Sequence, residues 1–119
     1  MDALKSLQAE LAAFAVERDW DQFHTPKNLA MALSGEAGEL LERFQWLTPE
    51  QSERDALSGE ALQAIEEEMA DVLLYLLRLA DRLNVDIASA AQAKLQTNAQ
   101  KYPVSEAKGN AVKYSRRSE

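Results

Sequence analysis

The stretch from Glu60 to Leu83 constrains this chain more than any other, because it reads as one long α-helix that needs neighbours on several sides. At about 100° per residue, Leu73, Leu74, Leu76, Leu77 and Leu79 cover most of a helical circumference. Such a helix belongs in a bundle of other helices. The rest of the chain offers them. From Asp2 to Arg18, Leu4, Leu7, Leu11 and Phe14 recur at spacings of three and four, an amphipathic helix by period. "HTPKN" supplies Thr25 as N-cap and Pro26 at the first helical position, opening a second helix expected to reach Trp46. "TPEQ", Thr48 to Gln51, fits a capping box that begins a short helix or turn. Ser58 and Gly59 mark the next break. After "NVD", Asp86 is placed to cap a fourth helix that runs to Tyr102 and is stopped by Pro103. The expected fold is all-α, a four-helix-bundle-type domain over residues 1–103. Residues 104–119 have little apolar content, and Lys108, Lys113, Arg116 and Arg117 outnumber Glu106 and Glu119 there. That segment is expected to be a flexible basic tail.

Composition removes several function classes. The chain has no cysteine, which excludes disulfides, thiolate metal sites and cysteine nucleophiles. No apolar run approaches the roughly 18 residues of a membrane span, and no signal-peptide pattern opens the chain, so a cytoplasmic protein without a membrane partner is expected. The net charge is −7, and it is unevenly placed: between Glu36 and Asp71 eleven acids face only Arg43 and Arg54, a net −9. A nucleic-acid partner is not expected, because phosphate neutralisation needs a basic face. An acidic centre suggests a bound cation or a solvated surface.

The acids are not scattered. With Glu36 as origin of its helix, Leu29, Leu40, Leu33 and Phe44 all fall within about 80° on one side, and Glu39 lies about 60° to the other. With Glu68 as origin of the long helix, Leu79, Val72, Ile65 and Leu76 fall within the same arc, and Asp71 takes the place of Glu39. Two helices thus carry an E-x-x-[ED] pair at the same edge of an apolar face. Carboxylates there are costly to ionise without a positive partner. Arg43 is the one cation obviously near the first pair. Oxygen donors without His or Cys suit a hard divalent ion, Mg²⁺ or Mn²⁺. A di-iron carboxylate bundle is excluded because its E-x-x-H motifs are absent, the lone histidine being His24.

Other residues could complete a site. Lys94, Asn98 and Lys101 are spaced four and three apart and share a helix face, where they could donate to phosphate oxygens. Trp20, His24, Trp46 and Tyr75 could stack on a nucleobase, or could fill core edges or an oligomer interface. Gly35 and Gly38 lie off the apolar stripe and suggest room for a close neighbour, either substrate or another helix.

"ERDWDQFHTPKNLAMALSGEAGELLERFQW", "EEEMADVLLYLLRLADRLNVD" and "KLQTNAQKYP" together resemble the MazG-like all-α nucleoside triphosphate pyrophosphohydrolases, and most of all their dCTP pyrophosphatase branch. The similarity runs from about Ala12 to Pro103. It implies a MazG-like helical catalytic domain that works as a homo-oligomer, a dimer or a dimer-of-dimers tetramer. It implies Mg²⁺-dependent cleavage of a nucleoside triphosphate between the α- and β-phosphates, with dCTP or a modified dCTP as substrate, in nucleotide-pool sanitation. Glu36, Glu39, Glu68 and Asp71 are the metal ligands so implied, with Mn²⁺ as an alternative ion, and Glu42 matches a further acid of the catalytic set. Trp20, Asp21, Gln22, Phe23 and His24, with Trp46 and Tyr75, would surround base and sugar, and Lys94, Asn98 and Lys101 would meet the phosphates. Leu11 stands where dCTP pyrophosphatases place a histidine, which opens the question of nucleotide preference. A dUTP-preferring enzyme, or a non-catalytic helical assembly protein with solvated acids, are the competing readings.

Overall fold

Four of the helices begin where a side chain takes over a free backbone amide. Asp2, Thr25, Ser58 and Asp86 accept from the backbone N–H of Lys5, Asn28, Ala61 and Ser89 at 2.9–3.2 Å. They open α1 (Ala3–Glu17), α2 (Pro26–Glu42), α3 (Gly59–Arg82) and α4 (Ile87–Lys101). A one-turn helix, α5 (Val104–Ala107), follows. The computed structural model describes residues 2–116, and no strand occurs among them. The protein is all-α, as its hydrophobic periods require. None of the described helices is long and apolar enough to cross a membrane.

The chain divides into two compact units, with the boundary between Val85 and Asp86. In the first, α3 packs against both α1 and α2. Its buried apolar side chains are Ala15 of α1, Leu29 of α2, and Ile65, Leu77 and Ala80 of α3. Gln8 ties α1 to α3 by donating through Nε2 to the Leu77 carbonyl at 3.0 Å. The leucine girdle of α3 is not covered on every side within one chain: Leu77 is 1% exposed, but Leu73 is 39% exposed. Phe14, Met31, Leu41 and Met69 are exposed as well.

α2 stops at Glu42, one turn short of the Trp46 expected from its pattern. From there Arg43 N–H bonds the Leu40 carbonyl, Phe44 N–H that of Leu41, and Leu47 N–H that of Phe44, with one i→i−4 bond from Gln45 N–H to Leu41 among them, so the regular ladder gives way to mostly i→i−3 turns. Trp46 is left 86% exposed. The capping box beyond it forms: Thr48 N–H donates to Gln51 Oε1 at 2.9 Å, and Gln51 N–H to Thr48 Oγ1 at 3.2 Å, ahead of a 3₁₀ turn over Glu50–Ser52.

α1 and α3 end alike. Asp19 and Asn84 take left-handed φ values of 54° and 55°, and the amides of Trp20 and Val85 reach back to the carbonyls of Ala15 and Ala80 at 2.9 and 2.8 Å. These are Schellman closures with Asp and Asn in the position that glycine most often takes. At α1 the closure folds Trp20 back onto Phe14, ring centroids 5.6 Å apart, and so sets the course of the loop to α2.

In the second unit, Tyr114 N–H donates to Tyr102 Oη at 3.2 Å, their rings meet edge-on at 5.8 Å, and Lys101 Nζ lies 4.8 Å from the Tyr114 ring centre. The segment expected as a tail therefore contains α5 and a 3₁₀ turn over Tyr114–Arg116. Arg117 and Glu119 lie outside the described residues.

Candidate functional site

Glu36 and Glu39 project from α2 toward Glu68 of α3, and one oxygen from each carboxylate lies within 4.8 Å of the other two. The matched helical edges account for this: helices that pack through their leucine stripes bring the flanking acids together. Glu36 and Glu68 are half-buried and Glu39 is exposed. Arg43 Nη2 approaches Glu68 Oε1 at 3.4 Å, a single cation for three carboxylates. Glu36 Oε2 and Glu68 Oε2 are buried without a hydrogen-bond partner. The Glu36 carboxyl, by hydrogen bond and then by its charge, pushes Glu39 above the usual carboxylate range; Glu42 adds to this, and a hydrogen bond with Glu68 opposes it. Glu39 and Glu42 also stand in the last turn of α2, where the helix dipole disfavours negative charge, and the first basic residue there is the C-cap Arg43.

Orphaned carboxylate oxygens at the edge of a core are the condition that a hard cation relieves. The donor set here, three carboxylates without nitrogen or sulfur, fits Mg²⁺ or Mn²⁺ in kind. Asp71, one turn further along α3, is exposed and does not belong to the converging trio. It lines a neighbouring cavity instead. Glu42 and Arg43 edge a separate open groove with Leu57, Ala61 and Ile65.

The cavity beside Asp71 measures about 180 Å³ and is walled by Leu11, Phe14 and Trp20, by His24, and by Leu74, Tyr75 and Arg78 of α3. Trp20 stands edge-on to both Phe14 and His24, the latter with centroids 6.2 Å apart. Of the loop residues, Asp21 is half-buried and bound to Arg78, Gln22 turns back to Asp19, and Phe23 is exposed. Trp20, His24, Tyr75 and Asp71 are thus brought together, while Trp46 does not line this cavity. Lys94 and Asn98 are exposed on α4, and Lys101 is half-buried at its end. A side chain at Gly35 or Gly38 would meet nothing within 4 Å, so no close approach inside this chain requires either glycine.

Arg78 is the residue that sequence reasoning missed. It is 5% exposed and uses each guanidinium nitrogen: Nε donates to His24 Nδ1 at 3.1 Å, Nη2 to Asp21 Oδ1 at 2.6 Å, and Nη1 to Asp81 Oδ2 at 3.4 Å. A signal was present, since an arginine inside "LLYLLRLA" cannot be buried without partners. It also falls within about 20° of Asp71 around α3. Burial lowers the His24 pKa, the charges of Arg78 and Arg82 lower it further, and Asp21 opposes them.

A family model described as MazG-like matches residues 31–116. The chain belongs to the MazG-like family. Among similar proteins, dCTP pyrophosphatase 1 of Bos taurus is 45% identical over 115 residues, covering 97% of this chain and 66% of that one. The Homo sapiens protein of the same name is 43% identical over the same span. This MazG-like chain therefore spans just under two thirds of the length of these curated relatives. A crystal structure of a pyrophosphatase from Archaeoglobus fulgidus superposes with a TM-score of 0.78 at 40% identity, over 87% of this chain and 94% of that one.

Proposed function

We propose that this chain is a nucleoside triphosphate pyrophosphohydrolase that uses a divalent cation, Mg²⁺ in the first place, and splits a dNTP into dNMP and pyrophosphate. The observation that carries this reading is the convergence of Glu36, Glu39 and Glu68 with two buried, unpartnered oxygens. The names of the similar proteins support the same chemistry, and dCTP or a modified dCTP is the substrate they favour.

Glu36, Glu39 and Glu68 would hold the cation, with Asp71 as a further ligand from the cavity side. When bound, the ion supplies positive charge against the phosphate oxygens and makes a water more acidic. The protein's own part is positioning and proton handling. Attack of water on phosphorus forms one P–O bond as the bridging α–β P–O bond breaks, and the proton passes to a carboxylate, with Glu39 and Glu42 as candidates. Trp20 and Tyr75 would flank the base in the cavity. Lys94, Asn98 and Lys101 are proposed as phosphate donors on the chemistry of their side chains. A homo-oligomer is part of the proposal, because so many apolar side chains stay exposed on one chain.

Pyrophosphate release from a panel of dNTPs with Mg²⁺ tests this reading, run beside Glu36→Gln and Asp71→Asn. Wild type should turn over at least one nucleotide and both variants should lose most activity. A folded protein inert on every nucleotide would leave the non-catalytic assembly reading standing.

A further inference from the structure

The guanidinium of Arg78 lies at the wall of the aromatic cavity, yet all three of its nitrogens are engaged inside the protein. Three of its five N–H donors are thus used within the protein, and the group is 5% exposed. Its contact with His24 has a definite chemical sense. Arginine can only donate, so His24 Nδ1 must accept at 3.1 Å and must carry no proton. A neutral histidine with bare Nδ1 has its proton on Nε2.

We propose that Arg78 is a positioning residue: by donating to Nδ1 it locks His24 as the neutral Nε2–H tautomer, so that His24 offers a hydrogen-bond donor to an acceptor atom of the nucleobase. This use of the donor rests on the nucleotide reading above, whereas the tautomer itself does not. Several observations agree. Asp21 Oδ1 accepts from Nη2 at 2.6 Å and Asp81 from Nη1, so the guanidinium is held on two sides while it orients the imidazole. The Schellman closure at Asp19 and the packing of Trp20 against His24 fix the loop that carries the ring. The cavity, at about 180 Å³, is smaller than the roughly 300–1,000 Å³ typical of sites for drug-sized ligands, and suits a single ring rather than a whole nucleotide. The charged groups facing His24 are Asp21 from its own loop and Arg78 and Arg82 from α3, with Asp71 and Asp81 further along that helix; the α1 residues at the cavity, Leu11 and Phe14, are uncharged. In a chamber walled largely by Leu11, Phe14, Trp20 and Leu74, with Asp71 and Arg78 as its charged groups, a donor of fixed direction selects rings with an acceptor at that edge.

The chain contains one histidine, so ¹⁵N NMR of the whole labelled protein reads this tautomer without ambiguity. Above the histidine's titration, Nε2 should be protonated and Nδ1 bare. A predominant Nδ1–H form would overturn the proposal. Arg78→Lys and Arg78→Gln should each shift the ring toward a mixture of tautomers and raise KM for the best dNTP about tenfold with little change in kcat. Arg78→Lys should add little in a His24→Ala background, because its effect is exerted through the ring. An equal penalty in that background would show that Arg78 acts on its own and would sink the idea. If no nucleotide is turned over at all, the functional reading fails, and the NMR experiment still decides the tautomer.

Discussion

Glu36 Oε2 and Glu68 Oε2, from two different helices, are both buried and both lack a hydrogen-bond partner, while a single arginine, Arg43, reaches the second carboxylate. An arrangement that leaves two such oxygens unsatisfied lowers the stability of the metal-free protein, at about 1–3 kcal/mol for each buried polar atom left unpaired. The same oxygens would pair with a cation. Stability and metal binding should therefore trade against each other at this one place.

Glu36→Gln tests that trade directly. Removing one negative charge from the cluster should stabilise the metal-free protein by about 1 kcal/mol, a rise of a few degrees in Tm. The further rise in Tm that Mg²⁺ gives the wild type should disappear. Thermal melts of both proteins in chelator and in excess Mg²⁺ provide the four values needed. A variant that melts lower than wild type in chelator would show that Glu36 is satisfied in a way the structure does not contain.

Glu39 holds its proton above the usual carboxylate range because the Glu36 carboxyl bonds to it and repels its ionised form. A cation bound at the trio must displace that proton, so binding should release protons and tighten as pH rises through the raised range. Calorimetric titrations with Mg²⁺ in two buffers of different ionisation enthalpy would give different apparent heats. Identical heats in both buffers would mean that no proton leaves.

What could be read from the sequence was local. Thr25 and Asp86 were recognisable as caps because an N-cap is decided within four residues, and Thr48 with Gln51 formed the box that their spacing requires. The carboxylate trio was legible too, since helical period places Glu36 and Glu68 at equivalent edges and the packing of α2 on α3 does the rest. Two features were not. Phe44 continues the apolar period of α2 beyond Glu42, so period alone extends the helix to Trp46, whereas the backbone there breaks into mostly i→i−3 turns. Arg78 pairs with His24 and Asp21 more than fifty positions away, and no local rule announces a partner at that separation. Asp71 has the spacing of a ligand at the edge of α3, and its side chain lines the cavity one turn beyond the trio.

His24 should make stability depend on pH in one direction. Burial and the Arg78 charge lower its pKa in the folded protein below the ordinary value of 6.5. The unfolded chain then binds more protons between the lowered pKa and 6.5, so stability is fully present above 6.5 and is lost as pH falls through the folded value. Tm measured across this window should drop on acidification in wild type and drop less in His24→Gln, which cannot titrate. A wild-type Tm that stays flat or rises as the pH is lowered would contradict this assignment.

The left-handed caps give a prediction of opposite sign for two substitutions at one site. Asn84 has a φ of 55° and closes α3 through the bond from Val85 N–H to the Ala80 carbonyl. Alanine tolerates that conformation poorly, at a cost of about 1 kcal/mol, whereas glycine adopts it freely. Asn84→Ala should lower Tm by a few degrees and Asn84→Gly should leave it unchanged or raise it slightly. Equal losses from both would mean that the asparagine side chain, not the backbone conformation, does the stabilising.

The apolar surface of α3 carries the last prediction. Met69 is 56% exposed and Leu73 39%, and they lie about 40° apart around the helix, so they form one uncovered stripe. Among the described residues the buried apolar side chains are Ala15, Leu29, Ile65, Leu77 and Ala80, two of them alanines, a small core for a domain of this size. A monomer so built should be marginal, and association through the exposed stripe would supply the missing burial. Sedimentation at micromolar concentration should therefore show a dimer or larger assembly, and Leu73→Glu should shift it toward monomer while lowering Tm. Leu77→Ala, which opens a cavity in the core, should cost about 2–5 kcal/mol without acting on the interface directly. If the wild type sediments as a stable monomer at every concentration and Leu73→Glu melts like wild type, the stripe is an ordinary surface and the oligomer proposal falls.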